Sequence, residues 1–242
     1  MKNSLDDTLI AYQKENAYYL DNDISLNWYA KRIIEKYPSN ISVLDLGLGH
    51  GFTAKQFSAY FTDYTVLDGS EEIIKFFKES NPDTKANIVK TYFENFKTDK
   101  RFDLIIMGFI LEHVDDPVFI MNHYQQFLKP NSGNEGGLVL SVPNCESMNR
   151  RLGYYAGLLE DMSALCENDF LIGHKRTYTV NSMIEDVKKA GLQVKLVEGI
   201  FLKPVTTKQL LSLNFERKIY DAMCTLGIQY PELCTAIMLE CF

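Results

Sequence analysis

The sequence predicts an α/β protein built on one mostly parallel sheet. Three observations predict it. Apolar runs of strand length alternate with helical-period segments, a glycine-rich loop follows the first run, and 242 residues at 46% hydrophobic can bury one sizeable core. Strands separated by helices need crossover connections, and crossovers make neighbouring strands parallel. One domain over 1–242 is the expectation.

Ahead of any strand, "LDDTLIAYQKENAYYLDN" and "LNWYAKRIIEKYP" place apolar residues at helical spacing, and Pro38 closes the second. Residues 1–40 therefore read as two cover helices, with Tyr18, Tyr19, Trp28 and Tyr29 available for packing or for covering a ligand. Strand 1 is "ISVLDLG", followed by a helix over "GFTAKQFSAYF". Strand 2 is "YTVLDGS", then a helix over "EEIIKFFKES"; strand 3 is "ANIVKTYF" and strand 4 "RFDLIIMG". In "LEHVDDPVFIMNHYQQFLKP" Asp116 can cap a helix, Pro117 suits its first turn, and Pro130 ends the element. "NSGNEGG" is a turn and "LVLSVPN" strand 5; "TVNSMIEDVKKAG" is a helix closed by Gly191, and "LQVKLVEGIFL" is strand 6. "TTKQLLSLNFERKIYDAMCTLG" reads as a helical insertion, amphipathic and suited to acceptor cover or a homodimer contact, before a seventh strand in "CTAIMLECF". Residues 41–142 thus form a cofactor-binding half and 179–242 a C-terminal half.

Between them, 143–178 is too long for a plain connection. It leaves the carboxyl end of a strand, where open parallel sheets bind ligands, and is expected to be a helical lid over the substrate.

A formal charge of -7 argues against nucleic acid as a partner, since phosphate binding needs a basic face. Five cysteines without a C-x-x-C pair suggest neither a disulfide framework nor a zinc site. The longest apolar stretch, "LIIMGFIL", is too short to span a bilayer, and the N-terminus lacks the apolar core of a signal peptide. A cytoplasmic protein acting on a small molecule, without a membrane partner, is expected.

"VLDLGLGHG" carries Gly47, Gly49 and Gly51, which permit positive φ and remove the Cβ atoms that hold a ligand off the backbone. The next helix offers free N–H groups to an anion. A dinucleotide fingerprint would need glycine where Phe52 stands. The spacing instead suits a cofactor with a small carboxylate and an ammonium, the latter taken by Asp45.

Together, "VLDLGLGHG", Asp68 at the end of strand 2, and "FDLIIMGFILEHVDDP" resemble motifs of the class I S-adenosylmethionine-dependent methyltransferases. The resemblance implies a Rossmann-like, doubly wound, seven-stranded sheet in the order 3-2-1-4-5-7-6. It implies S-adenosyl-L-methionine as cofactor and S-adenosyl-L-homocysteine as product. Asp45, Gly47, Leu48, Gly49, Gly51, Asp68, Gly69, Ser70, Phe93, Glu94 and Met107 would line the cofactor site, with Asp68 on the ribose hydroxyls. Where many members carry an acid after strand 3, Tyr92 stands. "SVPNCESMNRRLG", "IGHKRTYT" and "GIFLKP" resemble segments of sugar and surface-polysaccharide tailoring methyltransferases, which implies O-methylation in carbohydrate biosynthesis.

Methyl transfer to a hydroxyl needs a base. His113, directly after strand 4, is the expected one, with packing in the turn as its other role; His174 in the lid is the second candidate. His50 and His123 read as structural. Arg150, Arg151, Lys175 and Arg176 reverse the local charge in the lid and are expected, with His174, to bind a phosphorylated, carboxylated or nucleotide-linked sugar. Tyr154, Tyr155 and Tyr178 suit either pocket or core. No carboxylate-rich trio with histidine or asparagine is apparent at the strand ends, so no metal is expected. N-methylation, or a cofactor-binding protein without catalysis, stays as the alternative.

Overall fold

The computed structural model of the chain describes Leu5, Asn16, and residues 18–130 and 136–242. Most of the expected first helix, and the turn at 131–135, lie outside the described residues.

One helix, α1 (Tyr19–Lys36), runs before the sheet without the break expected near residue 25. Ile24, Tyr29, Ala30 and Ile33 recur along its inner face and are all buried, so packing continues across the junction. Strand β1 (Ser42–Leu46) is buried throughout and leads through the glycine loop into α2 (Phe52–Tyr60). Then come β2 (Asp63–Asp68), α3 (Glu71–Ser80), a short β3 (Asn87–Lys90), β4 (Leu104–Gly108), α4 (Pro117–Gln125) and β5 (Gly137–Pro143). The Asp116 carboxylate caps α4 by accepting from Phe119 N–H at 2.9 Å, with Pro117 in the first turn.

The 143–178 segment contains α5 (Met148–Tyr155) and α6 (Glu167–Leu171). Next come α7 (Val180–Lys189) and β6 (Val194–Ile200); the insertion is two helices, α8 (Thr207–Ser212) and α9 (Arg217–Gly227), parted at Asn214, whose φ is 46°. Strand β7 (Ala236–Cys241) ends the fold.

The seven strands lie in the order β3-β2-β1-β4-β5-β7-β6, as expected. Pairing is parallel from β3 to β5, and β7 runs antiparallel to both β5 and β6. Alternate residues of each strand feed opposite faces: Val43, Leu104, Ile106 and Val139 join the layer with α1, α2, α3, α8 and α9, while Leu44, Leu46, Ile105 and Leu140 join that with α4 and α7. Helices on both faces make the sheet doubly wound. The exits of β1, β2, β4 and β5 consequently share one edge, where ligands of such sheets sit.

Candidate functional site

At the end of β1 the chain turns through Gly47, Gly49 and Gly51, whose φ values are 90°, 48° and 76°. Gly51 opens α2, and a Cβ there would come within 2.8 Å of the Phe77 ring. Asp68 holds this loop from the neighbouring strand. Its Oδ2 accepts from Leu48 N–H at 2.9 Å and its Oδ1 from Ser70 N–H at 2.8 Å. Ser70 in turn caps α3, accepting from Ile73 N–H. The two strand exits are thereby tied through one buried carboxylate.

Asp45 is buried beneath the loop, and its Oδ2 accepts from the Tyr64 hydroxyl at 2.6 Å. Burial pushes its carboxyl up to about 7. Among the described residues its side-chain donor is that phenol. Gly69 lies against Tyr92: a Cβ at Gly69 would stand 3.2 Å from the Tyr92 ring, and one at Gly47 would stand 3.9 Å from Phe93 Cζ. Phe93 and Glu94 form a short 3-10 turn after β3, in which Glu94 is exposed. Met107 is wholly buried in the interior on the α4 side, a core position.

The exit of β4 carries the other half of the site. Phe109 takes a left-handed conformation, φ 58°, and redirects the chain into a turn over 110–115. Ile110 of this turn abuts the glycine loop, its Cγ2 lying 3.3 Å from where a Gly47 Cβ would be. Glu112 is 1% exposed, and neither of its oxygens meets a hydrogen-bond partner among the described residues. Burial pushes its carboxyl up to about 7.

Both histidines singled out from the sequence stand beside this carboxylate. The rings of His113 and His174 are 4.7 Å apart at 71°. His174 Nε2 lies 3.9 Å from Glu112 Oε1, while its Nδ1 is 2.9 Å from Asp169 Oδ1. Burial, assisted by His174, takes His113 down to about 4, so it is a neutral imidazole near neutrality. One ligand atom from each of Glu112, His113 and His174 falls within 4.8 Å of the others. The sequence reading found no such trio at the strand ends. The fold assembles one, because His174 comes from a distant segment that packs on the turn after β4.

The basic residues of 143–178 are used differently from the anion site expected of them. Arg176 donates to the carbonyls of Leu111 (2.7 Å), Val114 (2.5 Å) and Asp115 (2.9 Å), bracing the turn that bears Glu112. Lys175 donates its N–H to Glu112 O at 2.8 Å and its ammonium to Asp115. Arg150 bonds the carbonyls of Met162 and Ala164, and Arg151 bonds Glu146 through both carbonyl and carboxylate. For Arg150 and Arg151 these partners lie only 5 to 14 residues away, whereas Arg176 reaches carbonyls 61 to 65 residues distant that the fold brings to it. Tyr178 is core, whereas Tyr154 and Tyr155 are exposed. His50 pairs with Asn22, and His123 with the Phe96 carbonyl.

The family model for the methyltransferase domain matches residues 12–197. The chain belongs to the methyltransferase-domain family. It is an S-adenosylmethionine-dependent methyltransferase, with the seven-stranded sheet order of that fold. It is similar, at 23% identity over 209 residues and 81% of each chain, to the ubiquinone biosynthesis O-methyltransferase of Rickettsia canadensis. To that of Rickettsia bellii (strain OSU 85-389) it is 28% identical over 205 residues, 79% of this chain and 78% of the relative.

Among solved structures, an S-adenosylmethionine-dependent methyltransferase from Mesorhizobium loti aligns with TM-score 0.59 at 17% identity, covering 89% of this methyltransferase and 97% of that chain. The plantazolicin methyltransferase BpumL, in complex with S-adenosylhomocysteine, aligns with TM-score 0.58 at 15% identity over 97% and 94%. At those identities the solved structures speak to the fold alone. Among the described residues no helix is long and apolar enough to cross a membrane.

Proposed function

We propose that this methyltransferase acts on a hydroxyl oxygen of a small-molecule acceptor, held beside Glu112, His113 and His174 with the 143–178 segment as its cover. The observation that carries the reading is the buried, unpartnered Glu112 carboxylate set against two imidazoles, on the turn that abuts the glycine loop.

The residues of the first half of the site fit the cofactor. Three positive-φ glycines leave a backbone cradle that a Cβ would fill, and Asp68 stands at the end of β2 beside it. In this reading the 47–51 loop takes the amino-acid end, Asp68 the ribose hydroxyls, Phe93 the base, and Leu48, Gly69 and Ser70 frame them. When bound, S-adenosylmethionine supplies a methyl group on a sulfonium whose leaving group is already good. The chain's own task is to place the acceptor and remove its proton.

A cluster of two imidazoles and a carboxylate suits that proton, whereas an amine acceptor would need mainly orientation. The relatives named as O-methyltransferases support a hydroxyl. A sugar or anionic acceptor has less support, because all four cations of the 143–178 segment are engaged within the chain. That segment instead exposes Leu152, Tyr155, Leu158 and Phe170, so an acceptor with an apolar body suits it better.

Radiolabelled methyl transfer to a panel of phenols, sugars and amines tests this. Transfer to hydroxyls of apolar-bodied acceptors is expected, and His174→Ala should lower turnover by roughly 100-fold or more with S-adenosylhomocysteine affinity retained. Transfer to amines alone, or undiminished turnover in that variant, would overturn the reading.

A further inference from the structure

We propose that Glu112, His113 and His174 ligate one divalent metal ion of the zinc class, whose open position takes the acceptor oxygen; the second clause rests on the hydroxyl acceptor proposed above. Two imidazoles and one carboxylate are a donor set used by catalytic zinc, with three protein ligands and a fourth position left for substrate. Imidazole donors favour such ions over magnesium or calcium, which prefer oxygen.

Three independent features of the structure support the site. Glu112 is 1% exposed with neither oxygen hydrogen-bonded among the described residues, and a buried carboxylate without a hydrogen-bonded partner is costly. The Arg176 guanidinium, whose charge acts on Glu112, is spent on the carbonyls of Leu111, Val114 and Asp115 and makes no hydrogen bond to the acid. Second, His174 is oriented as metal-bound histidines are: Nδ1 is held by Asp169 at 2.9 Å, and Nε2 points toward Glu112. Asp169 is itself fixed by Cys166 N–H at 2.7 Å.

Third, the backbone of the ligands is sewn together. Lys175 N–H bonds Glu112 O, and the Arg176 guanidinium bonds the turn on both sides of His113. A tetrahedral zinc with bonds near 2.1 Å keeps its ligand atoms about 3.4 Å apart. The 3.9 Å between His174 Nε2 and Glu112 Oε1 needs only a small side-chain rotation to close to that.

One carboxylate and two neutral imidazoles leave the centre with net positive charge, which acidifies a bound hydroxyl. Its proton leaves to water, the oxygen forms the bond to the methyl carbon, and the carbon–sulfur pair goes to sulfur as the sulfonium becomes a thioether. The ion keeps its oxidation state.

The test is titration of the chelator-treated full chain, saturated with S-adenosylhomocysteine, with Co²⁺ followed by its visible absorption and competed by Zn²⁺. One equivalent with tetrahedral-type bands is expected. His174→Ala and Glu112→Gln should each weaken Co²⁺ binding by roughly 100-fold or more, and Asp169→Asn by roughly 10- to 100-fold, with S-adenosylhomocysteine affinity retained as the control for folding. No saturable binding at one equivalent, or equal affinity in wild type and His174→Ala, overturns the site. Full-rate methyl transfer by the chelator-treated protein overturns the ion's role while leaving the hydroxyl acceptor standing. A protein that binds Co²⁺ but methylates only amines keeps the site and loses the acceptor reading.

Discussion

Glu198 and Glu112 are both buried carboxylates, and the fold treats them in opposite ways. Glu198, on β6, accepts from Arg32 Nε at 2.9 Å and Nη2 at 2.8 Å, and Lys36 stands 2.9 Å away. Lys36 also reaches Glu240 on β7. Against the upward push of burial, Arg32 and Lys36 hold the Glu198 carboxyl below its ordinary range. Glu112 has no side-chain donor among the described residues, and burial pushes it up. A buried charge that the chain pairs fastens α1 to the far strands. One that it leaves unpaired stands at the edge where ligands of such sheets sit, which is the basis of the function proposed for it.

That contrast is open to attack from both sides. The largest effect is expected at the paired acid: Glu198→Ala removes the bidentate partner of Arg32 and one of the two acids on Lys36, and should cost on the order of 3 kcal/mol in urea unfolding, with S-adenosylhomocysteine affinity of the folded protein little changed. If the cofactor were lost as well, the division between scaffold and site would fail. Next, Glu112→Leu in chelator-treated protein should stabilise the fold by about 1–3 kcal/mol, since an unsatisfied polar group leaves the interior, while methyl transfer is abolished. A destabilised variant would mean that Glu112 has a structural role.

Arg176→Ala frees three carbonyls around the Glu112 turn, so a loss of roughly 1–2 kcal/mol is expected, with turnover falling more than cofactor affinity. Equal falls in both would place Arg176 in the general scaffold. The smallest effect is one of slope. The folded-state carboxyl of Glu198 lies below its unfolded value near 4.3, so its stabilisation is present above that pH and is lost as pH falls through the folded value. Glu198→Gln should flatten this acid limb of the stability curve; an unchanged slope would show that the pairing contributes little.

Legibility in the sequence followed the range of the interactions. The glycine loop, Asp68, the Asp116 cap and the order of elements were all readable, because each rests on residues a few positions apart or on one strand-to-helix step. The continuity of α1 was not, since burial of Ile24 and Ser25 against the body outweighs the weak local pattern there. His113 and His174 stood out separately by residue type. Nothing local brought them together or drew attention to Glu112, although it lies in the quoted "LEHV". The partners of the basic residues were hidden for the same reason: a charge run shows that cations are present and not the carbonyls they meet.

By itself, then, the sequence determined the doubly wound sheet, the positive-φ glycine loop at the end of β1 and the family of the reaction, all set by local backbone demands and periodicity. Only the tertiary structure decided which acid is paired and which is not, and that two histidines converge on the unpaired one. The partners of a buried carboxylate are supplied by segments far along the chain, 166 residues away in the case of Glu198 and Arg32, and no local pattern records where those segments pack.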